Sequence, residues 1–147
     1  MKKILSLLCV ILLMVGLVGC GSSTNKAKLT AQSISDKLKE KENSYMTSIT
    51  VTTAENDENK LLGRPNQYTE KINWVDNRSK DSQVDCSIEL FNNMEDATAR
   101  KTYLESISKS MPMFTQYIEQ KDNVLLRIDG ALTPIQSNEY IKIFKAL

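Results

Sequence analysis

Hydrophobic and polar positions divide the chain into three regimes. Ile4 to Val18 is an uncharged, mainly apolar run of fifteen residues, preceded by Lys2 and Lys3. Gly21 to Lys28 (Gly, Ser, Ser, Thr, Asn, Lys, Ala, Lys) has almost nothing to bury and reads as a flexible tether. From Leu29 onward, short periodic stretches alternate with polar breaks, the pattern of one folded domain over residues 29–147.

Within that domain the periods predict the elements. Thr30 caps a helix that places Ala31, Ile34 and Leu38 on one face and Lys37, Lys39, Glu40, Lys41 and Glu42 toward water, with Asn43 and Ser44 closing it. The β-branched stretch Ile49 to Thr52 predicts a strand. Asn56 to Gly63 predicts a single helical turn, acidic at its start and ended by a left-handed Gly63, with Pro65 blocking continuation. Tyr68 to Val75 alternates, with Tyr68, Ile72 and Trp74 on one side and Thr69, Lys71 and Asn73 on the other. After a polar loop from Asp76 to Gln83, Val84 to Phe91 alternates with Cys86, Ile88 and Leu90 inward, so the two strands are expected to pair antiparallel.

Asn92 or Asn93 caps the longest predicted helix, Met94 to Met111, whose stripe is Ala97, Tyr103, Leu104, Ile107 and Met111, and Pro112 ends it. Thr115 to Glu119 and Val124 to Ile128 flank a polar tip, Gln120 to Asn123, as a second hairpin with Val124, Leu126 and Ile128 inward and Arg127 outside. Thr133, Pro134 and Gln136 combine a cap, a proline at the first helical position and a capping-box partner. The helix they open carries Ile135, Tyr140, Ile141, Phe144 and Leu147 along one stripe. The order predicts an α+β single domain, an antiparallel sheet of about four to five strands covered on one face by helices.

The leading run changes the picture of where this domain lives. Fifteen residues at about 1.5 Å each span about 22 Å as a helix, short of the roughly 30 Å hydrocarbon core, so a removed signal is expected rather than a permanent span. Leu17, Val18, Gly19 and Cys20 resemble the lipobox of bacterial lipoprotein precursors. The resemblance implies a signal peptide over residues 1–19, cleavage between Gly19 and Cys20, and a diacylglyceryl group on the Cys20 thiol. Residues 20–28 then become a lipidated tether, and the expected address is the outer side of the cell membrane. Two acyl chains anchor stably where one chain does not, each buried methylene contributing about 0.8 kcal/mol.

Charge and cysteine content narrow the partners. The 147-residue chain has 19 basic and 18 acidic residues; removing residues 1–19 takes Lys2 and Lys3 away and turns a net +1 into −1 over the remaining 128. No strong field attracts nucleic acid or anionic headgroups. Cys9 leaves with the signal and lipid consumes Cys20, so Cys86 has no partner for a disulfide. There is no histidine, which removes the commonest general base, imidazole triads and most zinc sites. Neither a phosphate loop nor a nucleophile elbow is present, the acidic run at Asn56 to Asn59 lacks the pattern of a calcium loop, and no metal or other cofactor is expected.

The most distinctive segment runs from Leu61 to Asp76 (LLGRPNQYTEKINWVD). It resembles a stretch of small, uncharacterised lipoproteins and secreted proteins of Gram-positive bacteria, a likeness that continues through Ser87 to Phe91, the following helix and Val124 to Arg127. That resemblance carries no activity. Physically, Arg64 at a rigid corner beside Asn66, Gln67 and Tyr68 offers a fork donor, amides and a flat ring, with Trp74 as a second platform and Asp76 as a counter-charge. Those six residues are the candidate ligand site. The alternative is structural: Arg64 pairing with Asp76 or capping open carbonyls, and Trp74 in the core. The leading expectation is a non-catalytic, surface-tethered module that binds an envelope ligand or protein. Its rivals are a carboxylate-dependent envelope hydrolase and an immunity-type inhibitor.

Overall fold

The computed structural model describes residues 29–42, 45–80 and 85–147. The signal segment, Cys20, the tether and the expected helix end at Asn43 and Ser44 lie outside the described residues. Among the described residues no helix is long and apolar enough to cross a membrane.

The domain is α+β. Helix α1 (Ala31–Glu42) is followed by strands β1 (Met46–Val51), β2 (Glu70–Asp76) and β3 (Cys86–Leu90), helix α2 (Met94–Ser110), strands β4 (Gln116–Lys121) and β5 (Val124–Asp129), and helix α3 (Pro134–Ala146). All pairings are antiparallel, and the strand order is β1-β2-β3-β5-β4. The chain thus makes two ladders whose last members, β3 and β5, join at the centre.

Local chemistry sets the element ends. Ser33 N–H donates to Thr30 Oγ1 at the start of α1, and Ala31 N–H donates to the Glu70 carboxylate, an anion seated where the helix dipole favours one. Asn93 caps α2 through the Asp96 N–H, and Thr133 with Gln136 forms the expected capping box on α3. The β4–β5 tip is tighter than the sequence suggests. Lys121 pairs with Val124, leaving only Asp122 and Asn123 in the turn, with Asp122 in the left-handed region. A bulge in β1 opens the register between Thr47 and Thr50, with Ser48 at φ 49°.

Helices cover both sides of the sheet, not one. Ala31, Ile34 and Leu38 of α1 and Tyr140 and Phe144 of α3 pack on Ile72, Trp74, Cys86, Ile88, Leu90, Val124, Leu126 and Ile128. Helix α2 lies on the opposite side, where Ala97 joins Tyr68, Phe91 and Leu125 in a second, smaller cluster. This explains why all of β3 is buried, Ser87 and Glu89 included. Tyr68 precedes β2 and belongs to the second cluster, so it does not share a side with Ile72 and Trp74 as the alternation predicts.

Other expectations fail at the surface. Of the α2 stripe only Ala97 and Leu104 are buried, while Tyr103 and Met111 are exposed, because α2 lies along the β4–β5 edge and packs few of its residues on the sheet. Ile135 is exposed on the first turn of α3. After β1 a single turn closes from the Asp57 N–H to the Thr53 carbonyl, and the predicted segment Asn56 to Gly63 forms no helix. The Asp57 carboxylate gathers the loop instead, accepting from the N–H groups of Leu61 (2.7 Å), Leu62 (2.8 Å) and Asn59 (3.3 Å) and from the Tyr68 hydroxyl (2.9 Å). Gly63 does take the predicted left-handed conformation, at φ 71°.

Candidate functional site

Because α2 covers only the β4–β5 edge on its side of the sheet, the rest of that surface is left as the floor of a cleft. Alternation puts Lys71 and Asn73 of β2, Ser87 and Glu89 of β3 and Arg127 of β5 on this side. Asn73 stands opposite Ser87, and Ser87 opposite Arg127, so three strands contribute one continuous polar row. The loop from Asn56 to Asn59 forms one wall, Phe114 and Gln116 the other, with Thr50 and Thr52 at the β1 edge and Asp85 at the far end. The cavity measures about 450 Å³.

Beneath the floor lies a charge cluster that no local stretch of sequence announces. Glu89 is 0% exposed. Arg127 Nη1 donates to its Oε1, Arg100 Nε donates to its Oε2 at 3.2 Å, and Lys71 Nζ stands 3.9 Å from Oε1. Burial alone would push the Glu89 carboxyl up; Arg127, Arg100 and Lys71 outweigh it and hold the group below the usual carboxylate range. Burial pulls the Lys71 ammonium down, and Arg127 and Arg100 add to that against the pull of Glu89. At the far end, burial pushes the Asp85 carboxyl up, with Asp129 and Glu58 adding to it against Lys71.

Asp57 braces the wall. Burial opposes its ionisation, yet the N–H groups of Leu62, Leu61 and Asn59 and the Tyr68 hydroxyl lower its pKa. Asp57→Ala would leave two well-aligned N–H groups and a buried hydroxyl without their acceptor. A loss of about 2 kcal/mol is expected in urea unfolding, with faster amide exchange confined to the loop. Uniform exchange would show that the carboxylate does not hold this wall.

The six residues picked out by sequence do not converge here. Arg64 and Asn66 are exposed on the outer bend of the loop, where Asn66 adopts φ 61°. Gln67 is half-buried, with its Oε1 unpartnered. Tyr68 is buried in the second cluster, and Trp74 is buried in the main core, tilted against Tyr140 with ring centroids 5.8 Å apart. One ligand therefore has no access to both rings. Asp76 is buried and does not meet Arg64. It accepts from Arg78 and from the Tyr140 hydroxyl, while Arg78 also reaches Glu139 and lies 3.8 Å above the centre of the Tyr45 ring. Arg127, expected outside, is drawn in by Glu89.

The residues that do converge are Lys71, Asn73, Asp85, Ser87 and Arg127, placed by the pairing of strands far apart in sequence. The one signal that points to them is Glu89, a carboxylate in the middle of a strand with Ile88 and Leu90 beside it. Among the described residues no group of three or more Cys, Asp or Glu is arranged to hold a metal ion. The fold and cleft define a small α+β domain with a polar concavity on a half-covered sheet. Compared with family models, with curated proteins and with solved structures, the chain matches none.

Proposed function

We propose that this chain is a membrane-anchored bacterial lipoprotein whose domain is a non-catalytic binding module, taking a small polar ligand in the cleft above Glu89. The anchor rests on the lipobox at Leu17 to Cys20, and the binding reading rests on the cleft. The observation that carries it is convergence. Hydroxyls, amides and charges of both signs from six separate segments line one concavity whose volume falls within the roughly 300–1,000 Å³ common to ligand sites.

Two measurements test the two parts. Cells fed a radiolabelled fatty acid are expected to yield labelled protein, and a Cys20→Ala form to yield none; equal labelling would remove the anchor. For the cleft, the full chain in detergent would be screened by thermal melting against wall fragments, sugars, amino acids and short peptides. A concentration-dependent rise in Tm is the expected result. A flat response across every class would defeat the binding reading.

A hydrolytic reading has one specific feature in its favour: Glu58 and Asp85 line the same cleft, and the Asp85 carboxyl is pushed up as a general acid's would be. It requires polysaccharide cleavage that Asp85→Asn abolishes. The binding reading leads because cations, not carboxylates, form the most enclosed part of the cleft.

A further inference from the structure

We infer that the ligand is a short zwitterionic peptide of two or three residues, its carboxylate docked on Lys71 and Arg127 and its ammonium group facing Asp85 and Glu58. This rests on the cleft being the binding site and goes further by naming what fills it.

The cationic end is short of acceptors. Three cations surround one carboxylate, so the cluster of Lys71, Glu89, Arg100 and Arg127 carries two surplus positive charges. The Lys71 side chain is only 13% exposed, yet at 3.9 Å from Glu89 its ammonium is beyond hydrogen-bond range. Its other contact is the ring of Tyr68, 5.3 Å from the centroid. Arg127, 14% exposed, spends Nε on Gln116 and Nη1 on Glu89, while Nη2 has no acceptor among the described residues. Both side chains line the cleft, and a ligand carboxylate has two oxygens able to accept from both groups.

Acidic groups line the same cleft, Asp85 at its far end and Glu58 on the wall formed by Asn56 to Asn59. Asp85 precedes β3, two residues before Ser87, which faces Arg127, and four before Glu89, which faces Lys71. At about 3.3 Å per residue, the Asp85 backbone is displaced along the strand by about 7–13 Å from the positions that face Arg127 and Lys71. With about 2.8 Å for the hydrogen bond at each terminus, a free amino acid reaches only the lower part of that range. Two or three extended residues at up to about 3.5 Å each match it. Between the ends, Thr50, Asn73 and Ser87 present hydroxyls and an amide to the peptide groups, and Phe114 offers an apolar edge to a side chain. A dianionic phosphate would satisfy the cations but gain nothing from Glu58 and Asp85.

The test uses the full chain in detergent and a random tripeptide mixture with free termini. Saturation-transfer NMR and thermal melting would be compared with the same mixture N-acetylated, the same mixture C-amidated, and inorganic phosphate. Free tripeptides are expected to bind, and each blocked mixture to bind at least tenfold more weakly. Lys71→Met is expected to lose at least tenfold, and Glu58→Gln, at an exposed position, several-fold. Equal binding of free and blocked mixtures, or preferential binding of phosphate, would overturn the inference. If a sugar or wall glycan binds and tripeptides do not, the cleft stands and its peptide assignment falls. If no probe of any class binds, both fall together.

Discussion

Glu89→Gln is expected to cost the domain about 3–5 kcal/mol in urea unfolding at neutral pH, the range for stripping the counter-charge from a buried ion pair. The substitution keeps the side chain's shape and removes only its charge. Arg127, Arg100 and Lys71 would then face one another at 13–14% side-chain exposure with no anion between them. Against a total stability of roughly 5–15 kcal/mol for a domain of this kind, that is a large share of what holds the fold. Combining it with Lys71→Met should recover part of the loss, because one of the mutually repelling cations is gone, and a double-mutant cycle measures that coupling. A loss under 1 kcal/mol would mean that water, not Glu89, satisfies the three cations.

Asp76→Ala is expected to lose about 3 kcal/mol without changing occupancy of the cleft. Asp76 is 1% exposed and accepts four close hydrogen bonds, from Arg78 Nε (3.0 Å), Nη2 (2.7 Å) and N–H (2.8 Å) and from the Tyr140 hydroxyl (2.7 Å). Its removal strands a hydroxyl in the core and unseats the arginine that links β2 to Glu139 on α3. Because Asp76 and Tyr140 lie on the side of the sheet away from the cleft, Kd for a cleft ligand should hold once the protein is folded. A parallel loss of affinity would place Asp76 in the binding site after all.

Both residues also set the acid limit of the fold. Burial works against the ionised forms of Glu89, Asp76 and Asp57, yet their partners leave all three with lowered pKa values. A carboxylate with a depressed folded pKa binds fewer protons folded than unfolded, so its contribution is complete above its unfolded value and drains as pH falls through its folded one. The melting temperature should therefore be steady from pH 7 to about 5 and drop steeply below the ordinary carboxylate range near pH 4. A melting temperature that holds or rises below pH 4 would contradict the three assignments.

Much of the architecture was legible because it depends on local chemistry. The capping box at Thr133 and Gln136, the Asn93 cap, and the alternation of Cys86, Ile88 and Leu90 each act within a few residues, and each is found as expected. What needed the structure were features made by distant segments. Asn56 to Gly63 carries a helix-like charge order, but Asp57 finds better acceptor work in gathering N–H groups and the Tyr68 hydroxyl. The placement of α2 on the second side of the sheet follows from the β3–β5 pairing, which no period in α2 encodes.

The site was the least legible part for the same reason. Trp74 and Tyr68 look like a ligand platform because aromatic rings near an arginine often are one, but both are consumed by packing in different clusters. Lys71, Asn73 and Arg127 look like ordinary solvent-facing strand positions. Only strand pairing and the partial cover by α2 turn them into the floor of a cleft.

The most direct test of the cleft as the working surface is made on living cells. A photoreactive amino acid would replace Thr50, at the exposed lip of the cleft, and in a second strain Ile135, 77% exposed on α3 at the other side of the sheet. After illumination of intact cells and mass spectrometry, a small adduct is expected at position 50 and none at position 135. Absence of any adduct at 50, or equal adducts at both positions, would contradict the account.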